Sequence, residues 1–291
     1  MNERQFLLWN LLLVYLAGRV LQLVPEDVPA LVIVGLHVVP PMLFAVIHGA
    51  RIYGLRGILT LAALCLIVGT IFESLSLRTG FPFGHYQFTV LMGPKLFDLP
   101  LLLALAYFGM GYLSLVVSAV ILGCDRDRLS GIKLFLLPVT ASLVMTTWDF
   151  SMEPVWADID RAWVWRDGGP FYGVPISNFV GWLFTVYIFY QLFALYLTPR
   201  FTQSASKKHW RLAILFYGIS AIGNLLIAVP ASENNVFVDA SGRPWMISAI
   251  LWASRLISVF IMVPLAVLAS IKTSRFGDVL LPRASLDIKD I

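Results

Sequence analysis

Residues 98–123 read DLPLLLALAYFGMGYLSLVVSAVILG, and after Asp98 the stretch contains no charged side chain. A helix needs about 20 predominantly apolar residues to cross a hydrocarbon core of roughly 30 Å. The stretch therefore reads as a transmembrane helix, and comparable runs recur along the chain at about 6–24, 28–48, 54–73, 132–149, 174–197, 211–230 and 246–271. The second run contains His37, Pro40 and Pro41; proline is tolerated in membrane helices where neighbouring groups satisfy the freed carbonyls. The first begins almost at Met1 without a small-residue cleavage site, so a retained helix is expected there. The expected fold is all-α: a polytopic transmembrane helical bundle of about eight spans, forming a single integral membrane domain over residues 1–291.

Composition points the same way. Hydrophobic residues make up 59% and charged residues 13%, with a mean hydropathy of +0.82, which leaves too little polar surface for a soluble globule. With these spans, 14 of the 21 Lys and Arg residues fall on the side of the N-terminus, among them Arg51, Arg56, Arg126, Arg128, Lys207, Lys208, Arg275, Arg283 and Lys289. Arg78, Lys95, Arg161, Arg166 and Arg243 fall opposite, and Arg19 and Arg255 lie inside spans. The positive-inside rule then places both termini in the cytoplasm of a multi-pass protein of the cell membrane. The net charge of +4 reflects those basic loops and implies no nucleic-acid partner. Cys65 and Cys124 cannot pair across this topology, so free thiols are expected.

Two outer loops are long and rich in Gly, Pro and aromatic residues, a composition that suits ordered segments folded over a site. One is FESLSLRTGFPFGHYQFTVLMGPKLFDLP, from Phe72 to Pro100; the other is WDFSMEPVWADIDRAWVWRDGGPFYGVPISNFVGW, from Trp148 to Trp182. Each opens with an acid at a helix end, Glu73 or Asp149, and closes at nearly the same distance on a proline that starts the next helix, as diverged copies would.

An ionisable group against hydrocarbon is a functional hypothesis by default. Glu73 beside Phe72, and Asp149 between Trp148, Phe150 and Met152, are candidates for carrying a transferable proton. The competing reading makes each a helix cap or the partner of Arg78, Arg161 or Arg166. Glu153 follows Asp149 by one helical turn, although Pro154 disfavours helix at Glu153. Asn178, Trp182 and Thr185 share a face of the sixth span, where Asn178 could orient a water, a carboxyl or a neighbouring helix. Arg255 is expected to answer a buried acid or carbonyl. The aromatics Trp148, Trp156, Trp163, Trp165, Phe171, Tyr172, Trp182, Phe81, Phe83, Tyr86 and Phe88 are open to two readings, an interfacial belt or a slot whose ring faces hold a carbocation. Asp239 lies in the last outer loop, outside both motif loops, and is expected to behave as a control position.

Four histidines (His37, His48, His85 and His209) are too few for a His-rich di-iron site, and no Gly-rich dinucleotide loop or P-loop occurs. Asp125 with Asp127, and Asp158 with Asp160, are too sparse for an Asp-rich magnesium diphosphate motif. Neither a metal nor a cofactor is expected. A proton-coupled transporter or lipid-binding protein stays open, since a weak repeat with intramembrane charges is also its signature.

Glu73 with TGFPFGHYQF (79–88) and GPKLFDLP (93–100), followed by WDFSMEP (148–154), Trp163-Val164-Trp165 and GGPFYGVPISNFVGW (168–182), resembles the carotenoid biosynthesis membrane protein family of the carotenoid 1',2'-hydratase type, which includes γ-carotene hydratase and bisanhydrobacterioruberin hydratase. The resemblance covers about residues 55–200. It implies a lipid-soluble carotenoid substrate, membrane lipid and other carotenoid-pathway enzymes as surroundings, and acid-catalysed hydration of a terminal double bond near the non-cytoplasmic face. Under it, Asp149 is the leading proton donor, Glu73 its partner or alternative, and Glu153 and Asn178 the groups that orient water. Trp148, Tyr86, Phe83, Tyr172 and Trp182 would bind substrate. A carotenoid or terpenoid cyclase would use the same protonation and exclude water.

Overall fold

The computed structural model describes residues 3–96, 98–124, 129–198, 200, 205–229 and 235–274. Of the residues that bear on orientation, Arg126, Arg128, Arg275, Arg283 and Lys289, and the acids Asp125, Asp127 and Glu233, lie outside them. The described chain is mostly helical. Its helices are α1 (Glu3–Leu21), α2 (Ala30–Thr79), α3 (Leu101–Leu122), α4 (Lys133–Pro154), α5 (Ile176–Leu197), α6 (Lys207–Gly223), α7 (Ile247–Ile257) and α8 (Val263–Ser274).

Among the described residues, five helices are long and apolar enough to cross a membrane: α2, α3, α4 with its π-helical extension to Ile159, α5, and α7–α8, which run on through a π-helical turn at Ser258–Met262. Helix α1, which carries Glu3, Arg4 and Arg19, and α6, at 17 residues, fall below that measure.

Helix α2 holds two of the expected spans without a loop between them. At Gly54 the backbone turns to φ 71°, ψ 164°, a conformation open to glycine and costly for other residues. In a straight helix Gly49 and Ile58 would stand about 13 Å apart at 1.5 Å per residue. Instead, a Cβ on Gly49 would meet Ile58 Cγ1 at 2.9 Å, so the chain folds back on itself at Gly54. Pro40 and Pro41 sit inside the first arm, packed where Gly109 of α3 comes in; a Cβ there would lie 2.9 Å from the Met42 nitrogen. Small residues permit such close approach between membrane helices. They let α3 take the centre of the bundle, where most of its side chains are buried.

The outer loops add short strands that hydropathy does not reveal. They are β1 (Tyr86–Phe88), β2 (Lys95–Leu96), β3 (Leu99–Pro100), β4 (Trp163–Trp165), β5 (Val236–Val238) and β6 (Pro244–Met246). β1 pairs antiparallel with β4, in the register Tyr86 with Trp165, Gln87 with Val164 and Phe88 with Trp163, so the two motif loops are joined into one cap. The β5–β6 hairpin packs on the same end, with Ser241 near Gly168 and Asp239 near Gly173. Asp239 is no blank control position. Its carboxylate accepts from the Ser241 and Arg243 backbone nitrogens at 2.8 and 3.0 Å, from Ser241 Oγ at 2.6 Å and from Trp245 Nε1 at 2.8 Å, and so organises the hairpin turn.

Candidate active site

The ladder between β1 and β4 decides which way the aromatic side chains point. Alternate residues of a strand face opposite sides: Tyr86 and Phe88 are buried while Gln87 is exposed, and Trp163 and Trp165 are buried on either side of Val164. Four rings thus turn inward beneath the cap. The loop before β1 is tied to its helices by Ser76 Oγ, which donates to the Gly84 carbonyl at 2.9 Å and accepts from Phe83 N at 3.2 Å. From the other side Ser177 Oγ donates to the Phe83 carbonyl at 2.9 Å. Gly181 lets α5 approach this loop: a Cβ there would stand 2.7 Å from Phe83 Cδ1.

Beneath the rings are three buried carboxyls. Glu73, on the second arm of α2, accepts from the Tyr107 hydroxyl at 2.7 Å through Oε1 and from the Tyr86 hydroxyl through Oε2. Glu153 Oε1 accepts from both indoles, Trp163 Nε1 at 2.6 Å and Trp165 Nε1 at 2.8 Å. Asp149 Oδ2 accepts from Asn178 Nδ2 at 3.2 Å, while its buried Oδ1 has no hydrogen-bond partner. Despite Pro154, α4 stays helical through Glu153, so Asp149 and Glu153 lie one turn apart on one face. Tyr86, in the cap, is pushed well above the ordinary phenol range by burial and by the Glu73 carboxyl beside it, which fixes it as the donor.

Glu73, Glu153 and Asn178 line a cavity together with Phe83, Tyr86, Phe88, Leu103, Trp163, Trp165 and Trp182. Its water-sized space is about 20 Å³, which holds about one molecule. Tyr107 stacks on Trp182, with ring centroids 4.5 Å apart and planes at 6°, and so braces that wall from α3.

Of the residues singled out in the sequence, Glu73, Glu153, Asn178, Phe83, Tyr86 and Trp182 line this cavity. Asp149 sits against Asn178 and is not part of the wall. Trp148 meets Trp182 edge-on at 6.4 Å but faces a neighbouring cavity. Tyr172 is a correction: it packs against Phe171 and Trp245, at 5.0 and 5.4 Å, in a separate apolar cluster with Val155, Ile159 and Ile250. The wall residues Trp163, Trp165 and Phe88 had been open to the belt reading, which their burial excludes; Phe81, at 55% exposure, fits it. Tyr107 escaped notice because it lies in the uniformly apolar run; its hydroxyl among alkyl side chains was the available signal.

The competing ion-pair reading fails on geometry. Arg78 pairs with Asp98 at 3.8 Å, Arg161 lies over the Phe237 ring, and Arg166 donates to Gln87. Arg255, as expected, donates to a carbonyl, that of Ile227, at 3.1 Å. Among the described residues no three His, Cys, Asp or Glu side chains are grouped to hold a metal ion. Among the described residues no ion pair engages these three buried carboxyls, and because burying each charge costs several kcal/mol, the site favours their neutral form. The cluster lies beside the water-sized space and the aromatic rings that line it.

A profile of carotenoid biosynthesis proteins matches residues 28–238. The bisanhydrobacterioruberin hydratase of Haloarcula japonica is 30% identical over 127 residues, which make up 42% of this chain and 41% of that protein. The match thus spans about two-fifths of that relative's length. No solved structure matches the chain. With the profile covering both motif loops, the cap they form and every residue of the cavity beneath it, the chain belongs to the carotenoid biosynthesis protein family.

Proposed function

We propose that this protein hydrates the terminal C1'=C2' double bond of an acyclic or monocyclic carotene, giving a tertiary alcohol. One observation carries the proposal: the cavity that Glu73, Glu153 and Asn178 line together with aromatic rings has room for about one water. The printed activity of the relative, a hydratase, supports the same reading.

In the proposed reaction a carboxylic acid adds its proton to C2', and the π electrons of the double bond form the new C–H bond. The positive charge develops at the tertiary C1', where the faces of Trp163, Trp165, Tyr86 and Phe88 stabilise it. Water adds through oxygen to C1' and loses a proton to a carboxylate, so the net change is one water added and the acid pool is restored. Donor number divides the roles. Glu153 faces two indole N–H groups, which hold its anion as the base for water. Asp149 has one amide donor and an oxygen with no partner, which suits the proton carrier. Glu73, held by two hydroxyls at the wall, completes the proton path to the cavity. Asn178 orients Asp149 from one side and the water from the other. The sequence uses no resident metal or cofactor in this scheme.

We place the protein in the cell membrane as a single multi-pass domain, with the cap near the non-cytoplasmic face, where carotene arrives from the lipid and other pathway enzymes act on it. The water-sized space favours hydration over cyclisation, which requires water to be kept out. The deciding experiment is the pigment profile of cells making an acyclic carotene, with and without this chain. A product heavier by one water with an unchanged chromophore is expected. Unchanged mass with a shifted chromophore would make the protein a cyclase, and no new pigment would favour a transporter.

A further inference from the structure

Trp163 borders two cavities. Besides the acid-lined cavity it lines a second space, of about 30 Å³. Val34 and Val38 of α2, Leu102, Ala106 and Met110 of α3, and Met152 of α4 give it a mainly apolar wall. It shares Trp163 and Leu103 with the acid-lined cavity. It shares Val34, His37 and Trp156 with a third, more open space of about 220 Å³, whose lining includes Leu91, Ile159 and Ile227. The hydration chemistry at the acids uses neither of these two spaces.

We infer that this path is the binding site for the long apolar chain behind the reacting end of the substrate, and that Trp163 is the positioning residue where chain and reacting end meet. The inference rests on the hydration reading for the identity of that end. Most polar groups on the path are engaged by protein, the buried Arg19 Nε excepted. Arg19 donates through Nη2 to the Ser220 carbonyl at 3.3 Å and to Asn224, and His37 bonds the Ile33 carbonyl at 2.6 Å and Gln22 at 3.1 Å. What is left for a ligand is mainly aliphatic surface and flat rings. Trp156 and Trp163 stack along the path, with centroids 6.1 Å apart and planes at 30°, as suits a flat conjugated chain. Since the Trp163 indole also donates to Glu153, a chain seated against this ring fixes the carboxylate at the moment the reacting end arrives.

The test uses the full protein in lipid nanodiscs titrated with an acyclic carotene, read by quenching of tryptophan fluorescence. Wild type is expected to show saturable quenching. Ala106→Phe, which fills the second space away from the acids, is expected to weaken it by about tenfold or more, and Glu153→Gln to retain it. A short isoprenoid hydrocarbon with the same end group should be turned over equally by wild type and Ala106→Phe, while the long carotene is lost. Val34→Phe repeats the block from α2 should Ala106→Phe not fold. Absence of saturable quenching in wild type, or quenching unchanged in both filled variants, would overturn the path. Tight carotene binding without any hydrated product would instead sink the hydration reading and leave the path standing.

Discussion

Glu73, Asp149 and Glu153 are one turn or one helix apart, yet each is held by different donors, and those donors predict how each should fail. Asp149→Asn and Glu153→Gln keep shape and remove, respectively, the transferable proton and the base. Either should lower hydration of carotene by roughly 10² to 10⁴ in rate, with membrane levels unchanged, as measured by pigment formation against immunoblotted protein. Asp149→Asn that kept more than about a tenth of wild-type turnover would remove it as proton carrier. Tyr107→Phe deletes one of the two hydroxyl donors on Glu73 and leaves the ring stacked on Trp182, so its loss should be smaller, about tenfold, the scale of one hydrogen bond to a charged group. Asp239→Asn gives a different failure: its carboxylate gathers four donors in the hairpin turn, so unfolding should come at lower temperature. The acids were legible in the sequence because a charge in an apolar run stands out. Trp163 and Trp165 were not, because a tryptophan near a membrane interface has an ordinary reading, and only the pairing of β1 with β4 turns these two inward.

The helices show the same division between what pattern gives and what contact gives. Apolar length located the rods of the bundle, including both arms of α2, since a 3.6-residue period and a 30 Å core constrain length strongly. Hydropathy gave no sign that the two arms join at a single residue, because the reversal depends on one backbone conformation at Gly54 and on the space that Gly49 leaves for Ile58. Gly54→Ala should therefore destabilise the fold by about 1–3 kcal/mol, seen as a lower midpoint of thermal unfolding in detergent. Gly35→Ala, in the first arm with no neighbour within 4 Å of its Cβ, should shift the midpoint little or raise it. Equal midpoints for the two variants would mean that the hairpin tolerates a side chain at its bend.

For the molecule as a whole, the contacts at the two ends of the bundle sort the loops by side. At one end, β1 pairs with β4, the β5–β6 hairpin covers Gly168 and Gly173, and the Gln22 carbonyl accepts from Ala228 N at 3.2 Å. At the other, Lys207 Nζ donates to the Ser274 carbonyl at 2.8 Å and Arg211 reaches Thr273 at 3.5 Å, so α6 begins where α8 finishes. We propose that the chain crosses once with α1, twice with the arms of α2, once each with α3, α4, α5 and α6, and once with α7–α8. Those proposed crossings number eight, whereas five helices among the described residues are long and apolar enough to cross a membrane; α2 would count twice, and α1 and α6 are short or polar. Under this proposal an even number would put both termini on the side opposite the cap, and the 14 basic residues that the sequence assigns to that side would make it the cytoplasmic one. Fusions of a reporter active only in the cytoplasm should therefore be bright near Arg4 and Lys207 and dark at Gly168 and Ser241. Accessibility labelling of single cysteines placed at Thr89 and Gly168 should succeed from outside intact cells. A bright fusion at Gly168 would invert the protein and bring the acid-lined cavity to the cytoplasmic face. Opposite signals from Gly168 and Ser241 would break the cap itself, since α5 and α6 must cross twice to return the β5–β6 hairpin to the loop that carries the site.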